Sequence, residues 1–140
     1  CPVKAIVVRL ARERGIPVVL VGDTSHRLDD GYSRVVTVDR GRDSADIKLI
    51  GLAVRGDLVI TQDYGVAAMA LGKGADALRQ DGLRYSDQNL DQLLWERHLG
   101  AKLRRGGGHL KGPKKRTAED DARFENALRQ ILDAGKEGQA

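Results

Sequence analysis

Five aspartates stand where apolar, β-branched runs give way to polar residues. Asp23 follows residues 18–21, Asp39 and Asp43 follow residues 35–38, Asp63 follows residues 58–61, and Asp46 lies three residues beyond Asp43. In open α/β sheets, binding sites form at the carboxyl ends of the strands, which makes these positions the first to inspect. Carboxylates meeting there from separate strand ends suit hard divalent cations such as Mg²⁺ or Mn²⁺, and such a cation would activate water and offset charge in phosphodiester hydrolysis. Asp43 and Asp46 would be neighbours on one face near the positive end of a helix that starts between them. The same residue type also favours turns and helix N-caps wherever a strand feeds a helix, so the spacing alone leaves capping and metal binding both open.

A second feature is charge. The chain carries 24 basic and 20 acidic residues, a net charge of +4. Seven of the cations, Lys102, Arg104, Arg105, Lys111, Lys114, Lys115 and Arg116, share one stretch without an acid, and setting them aside leaves 17 basic against 20 acidic residues. Gly106, Gly107, Gly108 and Gly112 interleave with them, so the backbone can come close to a partner. Phosphate backbones are the expected partner, with strongly salt-dependent affinity; a solvated linker is the alternative. Aromatic residues make up only 4% of the chain, so recognition is expected to be electrostatic unless Tyr32, Tyr64, Tyr85 or Trp95 is exposed for stacking. Ser25 and Arg27 occupy a polar loop after a strand and either touch a phosphate or simply form a turn.

Several other chemistries are disfavoured. Residues 107–112 begin like a phosphate-binding P-loop, but Pro113 stands where that motif needs lysine, and no strand precedes it. No glycine-rich dinucleotide fingerprint follows a strand. His26, His98 and His109 lack zinc-type spacing, and no neighbouring base supports Cys1 as a nucleophile.

These residues need a scaffold. A chain of 140 residues, 41% hydrophobic, is expected to form one domain around one core, and its apolar runs are too short to span a bilayer. With one cysteine and no leader-like start, a reducing cytoplasm is the expected location. The domain is expected over 1–134, with a basic glycine-rich loop at 102–116, a final helix at 118–133 and a frayed tail at 135–140. Val3, Ile6, Val7, Leu10 and Ala11 have helical spacing, and Gly15 closes that helix. Strands are expected at 18–21, 35–38 and 58–61, and helices at 45–55, closed by Gly56, and at 64–71 after an Asp63 cap. Short extended pieces at 75–78 and 83–85 flank an Asp81-Gly82 turn. A helix at 87–99 turns Leu90, Leu93, Leu94 and Trp95 inward, and Phe124, Ala127, Leu128, Ile131 and Leu132 form the stripe of the last helix, after a Thr117 cap. The alternation favours an α/β fold with a mainly parallel sheet covered on both faces.

The blocks Cys1-Pro2-Val3-Lys4, Val18-Val19-Leu20-Val21, Gly41-Arg42-Asp43-Ser44-Ala45-Asp46 and Asp57-Leu58-Val59-Ile60-Thr61-Gln62-Asp63, in that order, resemble the signature blocks of the YaiI/YqxD family. The likeness extends through 75–84, 104–113 and the Phe124 helix. That family looks like a member of the PIN-like group, which implies a three-layer α/β/α fold and a metal-dependent nuclease. By that resemblance Asp63, in the Thr61-Gln62-Asp63 block, and Asp46 would ligate Mg²⁺ or Mn²⁺ with help from Asp43, and Thr61 would orient Asp63 or a water. Ser25, Arg27, Arg42, Arg104, Arg105, Lys111, Lys114 and Lys115 would contact nucleic acid, with RNA the expected partner. Family members also carry an Asp-x-Asp strand just before the Cys-Pro pair, whereas this chain starts at Cys1. The central strand and one ligand are therefore expected to be absent, leaving two unpaired edges and low stability. The alternatives are a non-catalytic nucleic-acid-binding module and a phosphatase acting on a small substrate.

Overall fold

The computed structural model describes residues 2–23, 30–41, 44–105 and 115–137, and of Asp23, Arg104, Arg105 and residues 135–137 the backbone alone. In chain order it runs α1 (Lys4–Glu13), β1 (Val19–Asp23), β2 (Arg34–Val38), α2 (Ser44–Leu52), β3 (Leu58–Ile60), α3 (Tyr64–Gly72), β4 (Asp76–Leu78), α4 (Asp87–Arg105) and α5 (Ala118–Glu137). The fold is α/β, as the alternation of periodicities requires.

Pairing is parallel, but it does not form the single sheet that the sequence suggests. β1 pairs with β2, Val19 opposite Arg34 and Asp23 opposite Val38, and β3 pairs separately with β4, Leu58 opposite Asp76 and Ile60 opposite Leu78. Among the described residues no ladder joins the two pairs.

The β3–β4 pair is the centre of the molecule, because its successive side chains enter two different cores. Val59 and Ala77 face one core, with Ala53, with Val66, Ala67 and Ala70 of α3, and with Tyr85 and Leu90. Leu58, Ile60 and Leu78 face the other, where Val3 and Leu10 at the amino-terminal helix meet Phe124 and Leu128 of α5. Helices thus cover both faces of this pair. The β1–β2 pair is covered less completely: α2 packs on it, yet Val19 is 42% and Val35 37% exposed. The expectation that these apolar strands are buried on both faces holds for β3 and fails for β1 and β2.

Local chemistry sets the element ends. Gly15, at φ 65°, follows α1, and Gly74, at φ 85°, follows the Lys73 cap of α3; both values lie in the left-handed region that favours glycine. The Thr117 hydroxyl accepts from the Asp120 amide at 3.3 Å while the Asp120 carboxylate accepts from the Thr117 amide at 2.9 Å, the reciprocal box expected before α5. α2 ends at Leu52 rather than at 55, and Gly56 instead lies in the turn after it, where its amide donates to the Gly74 carbonyl. α4 is six residues longer than the periodicity suggests and reaches Arg105, so the first part of the basic stretch is helix and not loop. α5 likewise runs to Glu137, into the stretch expected to fray. Of the second extended piece only a bridge between Leu78 and Arg84 remains.

The turn after β4 is locked by backbone contact. Gly82 has φ 94°, and a Cβ placed there would lie 2.7 Å from the Arg123 carbonyl oxygen in α5; at Gly56, φ 90°, a Cβ would meet nothing within 4 Å. Gly56→Ala should therefore cost only its backbone strain, about 1 kcal/mol. Gly82→Ala adds a clash that must shift α5, and chemical denaturation should place it at least about 2 kcal/mol below the parent.

Ahead of β2, the Asp30 carboxylate accepts the amides of Tyr32 at 2.9 Å and Ser33 at 2.7 Å. These bonds, Ser33 first, hold the carboxyl down at about 2. A carboxyl lowered in the fold stabilises above its unfolded value and stops doing so as pH falls through the folded one. The stability gap between the parent and Asp30→Ala should be constant at neutral pH and close between about pH 4 and pH 2, as read by urea titrations at fixed pH.

Candidate functional site

The Thr61-Gln62-Asp63 segment is fixed at each residue. The Thr61 amide continues the β3 ladder by donating to the Leu78 carbonyl at 3.1 Å, and the Thr61 carbonyl accepts the Tyr85 hydroxyl at 3.2 Å. Tyr85 is buried in the core beside Tyr64, edge to face with centroids 6.1 Å apart, and desolvation pushes its phenol up to about 12, so the hydroxyl remains a donor at any ordinary pH. The Gln62 side chain donates to Gln80 Oε1 at 3.2 Å. The Thr61 hydroxyl accepts the Asp63 amide at 3.0 Å, so Thr61 orients the aspartate through its backbone.

Asp63 is the N-cap of α3, with extended backbone, and its Oδ1 accepts the Val66 amide at 3.0 Å. The capping expectation is met. It does not exclude the other role, because Oδ2 makes no hydrogen bond among the described residues. Asp63 also lines a cleft of about 500 Å³ between the end of β3 and α4, together with Gln62 and Tyr64 on one side and Leu93, Glu96, Arg97 and Gly100 on the other. Glu96 Oε1 accepts from the Gln92 side chain at 3.2 Å. Arg97 has no ion-pair partner among the described residues, so the cleft holds one cation and two carboxylates, Asp63 and Glu96, each with one oxygen bonded.

The other expected site residues are placed as follows. Asp46 lies in the first turn of α2, partly buried and with interactions of its own, and is not part of the cleft lining. Lys115 is exposed ahead of α5. Arg104 and Arg105 are in the last turn of α4. Asp43, Arg42, Ser25, Arg27, Lys111 and Lys114 lie outside the described residues. Among the described residues no three His, Cys, Asp or Glu side chains converge as a metal cage would require. Of the four aromatic candidates for stacking, Tyr85 is buried, Tyr32 and Tyr64 are partly covered, and Trp95 is 60% exposed instead of facing inward.

Glu96 and Arg97 were missed in the sequence reading. The signal for Arg97 was present: it stands four residues after Leu93 and three before Gly100, a charge inside the inward stripe of its helix. Because Asn caps a helix about as well as Asp, Asp63→Asn should leave stability within about 0.5 kcal/mol of the parent, whereas Asp63→Ala should lose about 1 kcal/mol by thermal or urea unfolding.

A family model described as "Uncharacterized BCR, YaiI/YqxD family" matches residues 1–134. A UPF0178 protein of Ruminiclostridium cellulolyticum is 58% identical over 138 residues, covering 99% of this chain and 90% of the relative. A UPF0178 protein of Clostridium acetobutylicum is 53% identical, over 97% of this chain and 93% of the relative, and one of Natranaerobius thermophilus is 46% identical, over 94% and 90%. No solved structure matches the chain. Among the described residues no helix is long and apolar enough to cross a membrane.

Proposed function

The chain belongs to the YaiI/YqxD family, and on that premise we propose that it is a PIN-like, divalent-cation-dependent phosphodiesterase acting on RNA or another nucleic acid. The observation that carries the reading is Asp63: one carboxylate oxygen fixed by the Val66 amide, the other without a hydrogen bond among the described residues, at a strand end, in a cleft that also holds Arg97, which makes no ion pair among them.

Oxygen donors of this kind fit Mg²⁺ or Mn²⁺, which when bound lower the pKa of a water and offset phosphate charge. Asp63 would hold the cation through Oδ2, with Asp46 and Asp43 as further carboxylates. Thr61 keeps the Asp63 backbone in place, so the open oxygen does not have to be ordered when substrate arrives. Arg97 would take a nonbridging phosphate oxygen, with its planar, permanently charged fork suited to that geometry. Gln62, whose side chain donates to Gln80, would hydrogen-bond a ribose or phosphate oxygen. The cations of 102–116 would hold flanking phosphates.

A second reading is a nucleic-acid-binding module without turnover, and the absence of three converging metal-binding groups among the described residues favours it. The two separate on one variant. Under the catalytic reading, Asp63→Asn removes cation-dependent cleavage of a mixed panel of single- and double-stranded RNA and DNA by at least about a hundredfold while the protein stays folded. Arg97→Ala should lower cleavage about tenfold or more. Salt-sensitive binding by the parent with no cleavage in Mg²⁺ or Mn²⁺, and equal or tighter binding by Asp63→Asn, would establish the second reading instead.

A further inference from the structure

α4 has two faces of opposite character. Leu90 and Gly100 are buried, and Leu93 and Ala101 partly so, on the side turned to the body of the protein. The rest of its surface is exposed yet carries large apolar side chains: Trp95 is 60%, Leu103 51%, Leu94 42% and Leu99 40% exposed, so four of the nine large exposed hydrophobic side chains of the described residues sit on this one helix. Scattered surface leucines need no explanation, but an exposed tryptophan flanked on its helix by Leu94 and Leu99 marks a contact surface.

The order of residues along that face identifies the occupant. Asp91, Trp95, His98 and Lys102 are separated by four, three and four residues, the seam spacing of a two-stranded helical pair. The stripe reads acid, aromatic, aromatic, base. Turned end for end against a copy of itself, with a two-fold axis between residues 96 and 97, it sets Asp91 against Lys102 of the other chain and Trp95 against its His98. Neither Asp91 nor Lys102 meets a counter-charge among the described residues of its own chain. The Trp95 and His98 rings already lie near each other, with centroids 5.8 Å apart and planes inclined by 30°, so the aromatic patch is formed before any partner arrives. Leu99 and Leu94 flank the seam with apolar surface on either side. A nucleic acid fits this face less well, because Asp91 would stand against phosphate.

We propose that the outer face of α4 is a self-complementary surface on which two copies of this chain pair antiparallel, with Trp95 and His98 at the centre and Asp91–Lys102 ion pairs at both ends. This interface is independent of the catalytic reading, since the Asp63 cleft draws on other α4 residues, Leu93, Glu96, Arg97 and Gly100.

The test is light scattering coupled to size exclusion, with sedimentation equilibrium, over about a hundredfold range of protein concentration. The parent should approach twice the chain mass of 15.3 kDa. Asp91→Lys or Lys102→Asp alone opposes like charges at both ends and should weaken association about tenfold or more, and the two together should restore it to within about threefold. Trp95→Ala should give monomers with unchanged helical circular dichroism, because the ring is mostly exposed. Emission from Trp95, the chain's one tryptophan, should shift to the blue as the parent associates. A monomeric parent throughout the range, a dimer indifferent to these changes, or a double reversal no tighter than the single ones would overturn the proposal. So would a monomer whose Trp95 emission is quenched by single-stranded RNA, which would give the face to nucleic acid.

Discussion

A two-stranded parallel ladder cannot stand in water on its own, and the need to cover β3 and β4 on both sides organises most of this molecule. Three residues per strand leave little apolar surface, so each side chain matters: Val59 and Ala77 turn one way, Leu58, Ile60 and Leu78 the other. The first side is closed by small residues, Ala67, Ala70 and Ala75 among them, which let α3 approach closely. The second is closed by large ones, Phe124, Leu128 and Leu10. Because β3 is held between these layers, the residues that leave its carboxyl end emerge at a fixed place, and Asp63 is the third of them.

The parts legible in the sequence are those governed by local rules. Helical spacing gave α1 and α5, turn chemistry gave the Asp81-Gly82 turn, and capping gave Asp63 and Thr117, because each depends on residues a few positions apart. What could not be read depends on distant partners. Whether Val19 and Val35 are covered is decided by the reach of α2 and not by their own β-branched character. The split of the strands into two pairs is likewise a property of the assembled layers. The Asp63 aspartate was legible as a strand-end carboxylate, but the charged residues that share its cleft, Glu96 and Arg97, stand more than thirty residues further on, and Arg97 is noticeable only once Leu93 and Gly100 are known to face inward.

α4 illustrates how periodicity misleads when a helix has apolar residues all round. Leu90, Leu93, Leu94 and Trp95 read as one inward group, but a 3.6-residue turn cannot bring all four to the same side. Leu90 and Leu93 take the core; Leu94 and Trp95 are left outside. The helix also runs through Lys102 to Arg105, where a charge run had suggested loop, because charged residues with long unbranched side chains continue a helix readily. Its electrostatics and its apolar surface are therefore carried on one rigid rod.

The closure of the second core has a further consequence, in time rather than in space. α1 is shielded by α5, and the Arg14 guanidinium reaches Asp133 across 119 positions of chain. During synthesis the greasy side of α1 must wait until the residues around Phe124, more than a hundred positions further on, leave the ribosome before it can be sheltered. Nascent chains halted short of Phe124 would expose that stripe and invite chaperones or clumping, whereas those carried past α5 could cover it.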